Sequence, residues 1–242
     1  MTLNEQILKF ADLISKSNYI VFFGGAGTST DSGIKDFRGK NGLYKTLYKD
    51  KYQPEEILSI DFFLKNRKIF NEYVENVLSI ENISPNKGHY SLVFLEKIGK
   101  LKYIITQNID NLHQEAGIRN VLELHGTLKD WFCLSCGKHY TKNTNCDCNG
   151  IVRPRVTLYG EELDQNIVKK AINEIQKADL LIIAGTSLTV YPAAYYIRYF
   201  RGNNLVIIND SPTQYDNDAE LVIKNNFEDT MVKLIEHLKT KN

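Results

Sequence analysis

Short, nearly unbroken apolar runs recur along the chain: Tyr19–Phe23, Tyr103–Thr106, Val121–Leu124, Val156–Tyr159, Leu180–Ala184, Leu205–Ile208 and Leu221–Ile223. Several lack apolar/polar alternation, which is how strands buried on both faces of a helix-covered parallel sheet read in sequence. Between them lie stretches with helical spacing. Leu3–Ser15 puts Ile7, Leu8, Ala11 and Ile14 on one face; Asn166–Lys177 and Phe227–Lys239 do the same with Ile167, Ala171 and Ile175, and with Met231, Leu234 and Leu238. The rhythm breaks twice. Residues 40–85 read as a helical excursion rich in Tyr, Phe, Lys and Glu, and 128–155 hold every cysteine. The pattern therefore predicts an α/β fold: a Rossmann-like parallel sheet built from 1–39, 86–127 and 156–242, interrupted by a helical module and a small metal-binding module.

Composition narrows the class. The 242 residues, 43% of them hydrophobic, with 15 glycines and five prolines, are enough to bury a substantial core and exclude collagen-like and disordered chains. Thirty Lys and Arg against 29 Asp and Glu leave a charge of +1, without the basic excess of a dedicated nucleic-acid binder. No apolar run approaches the ~18–20 residues that span a bilayer, and Met1–Gln6 is too polar for a secretory signal. A cytoplasmic protein is expected, and nothing in the sequence calls for an obligate oligomer.

Cys133-x2-Cys136 and Cys146-x-Cys148 are two close pairs. Four thiolates at this spacing can close a tetrahedral zinc site with no position left for water, hence a structural one; free thiols or a redox pair are the other readings. His139, between the pairs, is a possible alternative ligand.

The first strand runs into Gly24-Gly25-Ala26-Gly27-Thr28-Ser29-Thr30. Small residues let the backbone approach a ligand, and N–H groups at the start of a following helix can cradle a pyrophosphate; a plain strand-to-helix turn fits equally well. A dehydrogenase normally ends a second strand, ~20 residues on, with an acidic residue that holds the ribose. Here the turn continues instead into Lys35-Asp36-Phe37-Arg38-Gly39, either a lid over the reactive end of a dinucleotide or a solvated loop.

Further motifs follow the strands: Thr106-Gln107-Asn108-Ile109-Asp110-Asn111-Leu112-His113, Glu123-Leu124-His125-Gly126, Gly185-Thr186-Ser187-Leu188 with Tyr191-Pro192-Ala193-Ala194, and Ile208-Asn209. In this order, and with the cysteine pairs, the chain from Phe23 to the C-terminal helix resembles the sirtuin family, of bacterial type. Two departures are Gly24, where Thr is common, and Lys35, where Pro is common.

The resemblance implies an NAD-dependent protein-lysine deacylase. The acyl oxygen of an acylated lysine attacks the ribose carbon bearing nicotinamide, nicotinamide leaves, and the acyl group ends on ADP-ribose. It implies His125 as general base, an imidazole suited to neutral pH, although without the resemblance a lone His beside Gly reads more readily as structural. Asn108 and Gln107 would lie near the ribose, uncharged where positive charge develops. Asp110 and the Ile109 backbone would hold the nicotinamide carboxamide, and Phe37 would shield the reactive carbon, with Arg38 and Asp36 in the same loop. Gly25, Ala26, Gly27 and Thr30 would line the pyrophosphate path; Gly185, Thr186, Ser187 and Asn209 would face the adenosine ribose, with a backbone contact to adenine near Phe227. Val156, Leu158, Tyr159, Gly160 and Glu161 on one side and Val190 on the other would sandwich the substrate peptide as an added strand. Relatives that remove acidic acyl groups use a Tyr and an Arg one helical turn apart. Here Tyr73 is followed by Asn76 in the matching region, so acetyl or longer neutral groups are expected. NAD and one structural zinc ion are the implied cofactors, and acetyl-lysine proteins the partners. Mono-ADP-ribosyl transfer through the same site, and a non-enzymatic NAD sensor, are the alternatives.

Overall fold

The structure, a computed structural model, describes residues 1–39 and 42–240; the boundary expected at residue 40 and the last two residues of the expected 156–242 segment lie outside them. The strands are β1 (Ile20–Gly24), β2 (Leu101–Thr106), β3 (Val121–Glu123), β4 (Gly126–Cys133), β5 (His139–Tyr140), β6 (Val152–Val156), β7 (Leu180–Ala184), β8 (Asn204–Ile208) and β9 (Leu221–Ile223). The helices are α1 (Leu3–Lys16), α2 (Pro54–Ile57), α3 (Ile60–Lys65), α4 (Arg67–Asn76), α5 (Lys87–Lys97), α6 (Leu112–Ala116), α7 (Gln165–Lys177) and α8 (Phe227–Thr240).

Six strands form one parallel sheet in the order β3-β2-β1-β7-β8-β9, the doubly wound arrangement whose direction reverses between β1 and β7. Its strands are buried on both faces because the chain supplies Ile, Val, Leu and Phe at consecutive positions. Ile20 and Phe22 face one hydrophobic cluster with α1, α5 and α8, while Val21 and Phe23 face another with α7. Each such fully buried side chain contributes about 1.5–3 kcal/mol of transfer free energy. Local signals agree with the packing. Thr2 and Glu5 form a reciprocal capping box that starts α1, and the Asp164 side chain caps α7.

The third cluster joins the two interruptions. Phe62, Phe63, Phe70 and Val74 from α3 and α4 pack with Leu128, Trp131, Cys133, Cys146 and Val152 around the antiparallel sheet β5-β4-β6. The Arg153 guanidinium lies over the Phe63 ring, 5.2 Å from its centroid.

Two expectations need correction. The strand placed over Val156–Tyr159 is displaced: β6 ends at Val156, and Tyr159 makes only an isolated bridge to Ser59. Glu161 accepts from the Leu158 N–H at 2.8 Å and Gly160 adopts φ +90°, which turns the chain out of the strand. The cysteine region is also more regular than a break, because β4 pairs across it despite an irregularity between Thr127 and Trp131.

Candidate active site

The carboxyl ends of β1 and β7, where the strand order reverses, open into a cleft of about 580 Å³. The glycine turn leaves β1 as two tight 3-10 turns, Ala26–Thr28 and Thr30–Ser32, rather than as the α-helix a phosphate turn usually enters. The Thr28 hydroxyl donates to the Gly25 carbonyl (2.8 Å) and Thr30 to the Gly27 carbonyl (3.1 Å), bonds three residues back that favour the tighter winding. The turn presses directly on the loop after β7. Gly27 N–H donates to the Gly185 carbonyl at 2.8 Å, and a Cβ on Gly25 would stand 2.6 Å from that of Thr186. A larger residue at either glycine would push the two loops apart.

Gln107 ties three elements together here. Its backbone N–H donates to the Gly24 carbonyl (3.0 Å), its side-chain amide donates to Thr186 (3.0 Å), and its carbonyl faces Nδ1 of His125 at 2.9 Å. A carbonyl oxygen can only accept, so the neutral imidazole carries its proton on Nδ1 and keeps the Nε2 lone pair as its basic site. Burial lowers the His125 pKa below the ordinary histidine value, partly offset by the bond to Gln107. At neutral pH the ring is therefore uncharged and able to take a proton.

Asn108 donates to the hydroxyls of Thr28 and Ser29, both at 3.1 Å, and Ser29 donates to Asp110 at 2.7 Å. The other Asp110 oxygen accepts from the Leu112 N–H at 3.0 Å. Burial raises the Asp110 pKa, opposed by these donors. Asp110 does not line the larger cleft. It lines a second cavity of about 350 Å³ that shares Ala26, Phe37, Asn108 and Ile109 with the first.

The other residues expected to meet the cofactor or the peptide line the larger cleft. Among them, Asp36 caps its own loop by accepting from the Gly39 N–H (2.9 Å). Phe37 packs against Tyr44 with ring centroids 5.2 Å apart. Arg38 lies over Tyr44 and reaches Glu55 and the Tyr159 hydroxyl, each at 3.4 Å, while the Tyr44 and Tyr159 hydroxyls meet at 3.0 Å. Glu161 lines the cleft, yet its carboxylate is engaged by Arg153 (2.6 and 2.9 Å) and the Leu158 N–H, so it shapes the wall. The Phe227 ring is buried against Phe22 and Gly88, leaving its backbone the part able to meet a ligand. Asn209 donates to the Ser211 carbonyl at 2.8 Å, and Ser187 meets the Thr189 hydroxyl at the same distance.

The four cysteine sulfurs lie within 4.8 Å of one another, with neighbours at 3.3–3.5 Å. That is far longer than a disulfide and close to the ~3.8 Å edge of a tetrahedron drawn at the usual Zn–S length of ~2.3 Å. The donor set fits one structural zinc ion, held by Cys133, Cys136, Cys146 and Cys148. His139 is not in the cluster: its Nδ1 pairs with Asp130 at 2.7 Å, which removes it as an alternative ligand.

The acyl argument from Tyr73 and Asn76 also needs correction. Tyr73 is buried edge-on against Tyr48 in the third cluster, and Asn76 lines the smaller cavity. Neither faces the larger cleft. Among the described residues lining that cleft, the one Lys or Arg is Arg38, already paired with Glu55. Sequence reasoning passed over Ser29, Tyr44 and Asn226. Ser29 sat in view inside the glycine turn; Tyr44 and Asn226, whose amide donates to Asp31 at 2.7 Å, carry no local signal.

The Sir2 family model matches residues 25–192. An NAD-dependent protein deacetylase of Fusobacterium nucleatum is 64% identical over 236 residues, covering 98% of this chain and 94% of its own length. Among solved structures, a Sir2 protein with a p53 peptide and NAD+ aligns with a TM-score of 0.85 at 34% identity, over 96% of this chain and 98% of that one. Another, with a deacetylated p53 peptide and 3'-O-acetyl ADP-ribose, aligns at 0.87 and 36%, with the same coverage.

Proposed function

The chain belongs to the Sir2 family, and from that premise we propose how its residues carry out NAD-dependent deacetylation of protein lysines. NAD would supply the ribose carbon that the acetyl oxygen attacks as nicotinamide leaves; one water is then consumed as the lysine N–acyl bond breaks, and the products are nicotinamide, acetyl-ADP-ribose and free lysine. His125 takes the proton from a ribose hydroxyl through Nε2, and the reading rests above all on the Gln107 carbonyl that holds Nδ1–H and so leaves Nε2 basic.

Asn108, held by Thr28 and Ser29, presents an uncharged group beside the ribose. Ile109 and Asp110 receive the carboxamide from the side of the smaller cavity, which supports a nicotinamide position joined to the main cleft. Gly25, Ala26, Gly27 and Thr30 take the pyrophosphate. Thr186, Ser187, Asn209 and the Phe227 backbone take the adenosine end. Phe37 and Arg38 cover the reactive centre.

The acylated peptide lies between Val156–Glu161 and Val190. A neutral acyl group is favoured because Arg38, the cation at the cleft, is already paired with Glu55. The segments 1–39, 86–127 and 156–242 serve NAD, 40–85 and 128–155 form the smaller part, and zinc is structural. The near-zero net charge supports a protein that acts without binding nucleic acid. Among the described residues no helix is long and apolar enough to cross a membrane. We place the activity in the cytoplasm, on a monomer.

Incubation with NAD and acetyl-lysine and succinyl-lysine peptides, with products followed by mass, tests the reading. Acetyl-ADP-ribose, nicotinamide and deacetylated peptide should appear, and His125→Ala should abolish them. Undiminished turnover in that variant would remove His125 as the base. Faster succinyl turnover would sink the acyl assignment, and ADP-ribose attached to protein without deacetylation would favour transfer to protein.

A further inference from the structure

We propose that the aromatic and cationic ridge formed by Tyr191, Tyr195, Arg198 and Tyr199 docks the part of an acylated substrate that flanks the modified lysine, and that it selects flanks carrying carboxylates. The proposal deepens the deacetylase reading and rests on it.

Position is the first argument. Val190, Tyr191 and Pro192 line the cleft, and the chain passes straight from them into the 3-10 helix Ala193–Tyr199. One side of that helix, with Ala193, Ala194, Tyr196 and Ile197, is buried in the cluster that contains α7 residues. The opposite side is therefore an outward continuation of the wall proposed to hold the peptide. On it Tyr191 is 59% exposed, Tyr195 44% and Tyr199 37%, three large rings in succession that the core does not use.

Chemistry is the second argument. The Tyr195 and Tyr199 rings meet edge to face at 6.2 Å, and the Arg198 guanidinium lies 5.1 Å over the Tyr195 ring. A guanidinium held on an aromatic face is pre-oriented, and its N–H edge stays available for a carboxylate. Within its own segment the ridge carries charge of one sign, with Asp210 following at the cleft. From Thr186 to Asn209 the chain carries Arg198 and Arg201 and no Asp or Glu. Among the described residues Arg198 makes no ion pair with a carboxylate, and the groups that bear on its charge are the tyrosines Tyr215, Tyr195 and Tyr191. Tyrosine faces add contact area at low entropic cost, which suits extended segments of varied sequence. Two cations are too few for a polyphosphate chain, which favours an acidic protein segment over a nucleic acid.

The test uses acetyl-lysine peptides with one shared core and flanks of three Glu, three Gln or three Lys on either side. Affinity is read by fluorescence anisotropy, and KM and kcat by nicotinamide release. The Glu flank on one side should bind and show a KM about three- to fivefold better than Gln, with kcat unchanged. The advantage should vanish in ~0.5 M salt. Arg198→Gln should equalise Glu and Gln flanks while leaving turnover of the bare core peptide and the melting temperature as in the wild type. Arg198→Glu should reverse the order in favour of Lys. Equal affinities for Glu and Gln flanks, a preference that survives Arg198→Glu, or displacement of the Glu peptide by single-stranded RNA at equal concentration would each overturn the proposal. Absent turnover of every peptide would refute the deacetylase reading, and the Glu-to-Gln affinity ratio would still decide the ridge.

Discussion

Replacing Gly185 by Ala tests whether the close approach of the two cleft loops depends on the missing side chain of glycine. Gly185 sits at φ +60°, and a Cβ there would stand 2.4 Å from the backbone nitrogen of Thr28 and 2.6 Å from the Gly27 carbonyl carbon. Both are main-chain atoms that no rotamer change can move. Gly33 provides the control, since it sits at φ +93° with nothing within 4 Å of the added carbon. At Gly33 the left-handed backbone costs an L-residue about 1–2 kcal/mol. A stiffer unfolded chain returns about 0.4–1 kcal/mol, so Gly33→Ala should lose roughly 1 kcal/mol. Gly185→Ala carries the same strain plus an overpacking cost of about 1–3 kcal/mol, for a total of roughly 2–4 kcal/mol. The loops would relax by separating, which lengthens the 2.8 Å bond from Gly27 to Gly185 and widens the place proposed for the pyrophosphate. Urea denaturation should place the midpoint of Gly185→Ala well below that of Gly33→Ala. NAD should also raise the melting temperature of Gly185→Ala less than that of Gly33→Ala. Equal midpoints for the two variants would refute the steric argument.

Because burial lowers the His125 pKa, and the base must be neutral to work, the acid limb of kcat/KM should fall below the ordinary histidine value of ~6.5; a limb above it would contradict the assignment. His113 is buried without a partner for either ring nitrogen, against His89 at 4.8 Å, and burial pushes His89 down to about 4 and His113 well below 6.5. The unfolded chain then binds protons that the fold refuses. Stability should be full above pH ~6.5 and fall as pH drops toward 4, at up to about 1.4 kcal/mol per pH unit for each histidine. Denaturant midpoints that match at pH 7.5 and 5 would exclude this. Elemental analysis should find one zinc per chain, and a strong chelator should lower the melting temperature; a metal-free chain that melts unchanged would remove the structural zinc.

The six parallel strands were legible because strands buried on both faces need no alternation, so runs such as Leu180–Ala184 stand out by themselves. β4 was not, since Gly126–Cys133 mixes buried and exposed positions around an irregular pairing. Nor was the common core of residues 57–78 and 128–158, a contact between distant segments that no local window holds. At the site, the motifs brought Gly25, Asn108 and His125 into view as residue types. Their organisation came only with the fold: Gln107 joins Thr186 to His125 across nearly eighty residues of sequence, and Tyr73, which the family resemblance matched to an acyl-binding position, faces inward.

The pair of hydroxyls on Tyr44 and Tyr159, with Arg38 beside them, would couple the two proposed binding surfaces in one free-energy balance. Tyr159 belongs to the wall proposed for the peptide and Arg38 to the loop proposed to cover the cofactor. A peptide that shifts Tyr159 changes the bonds available to Arg38, and a cofactor that draws Arg38 inward changes those of Tyr159. Linkage makes such an effect reciprocal: whatever factor NAD applies to peptide affinity, the peptide must apply to NAD.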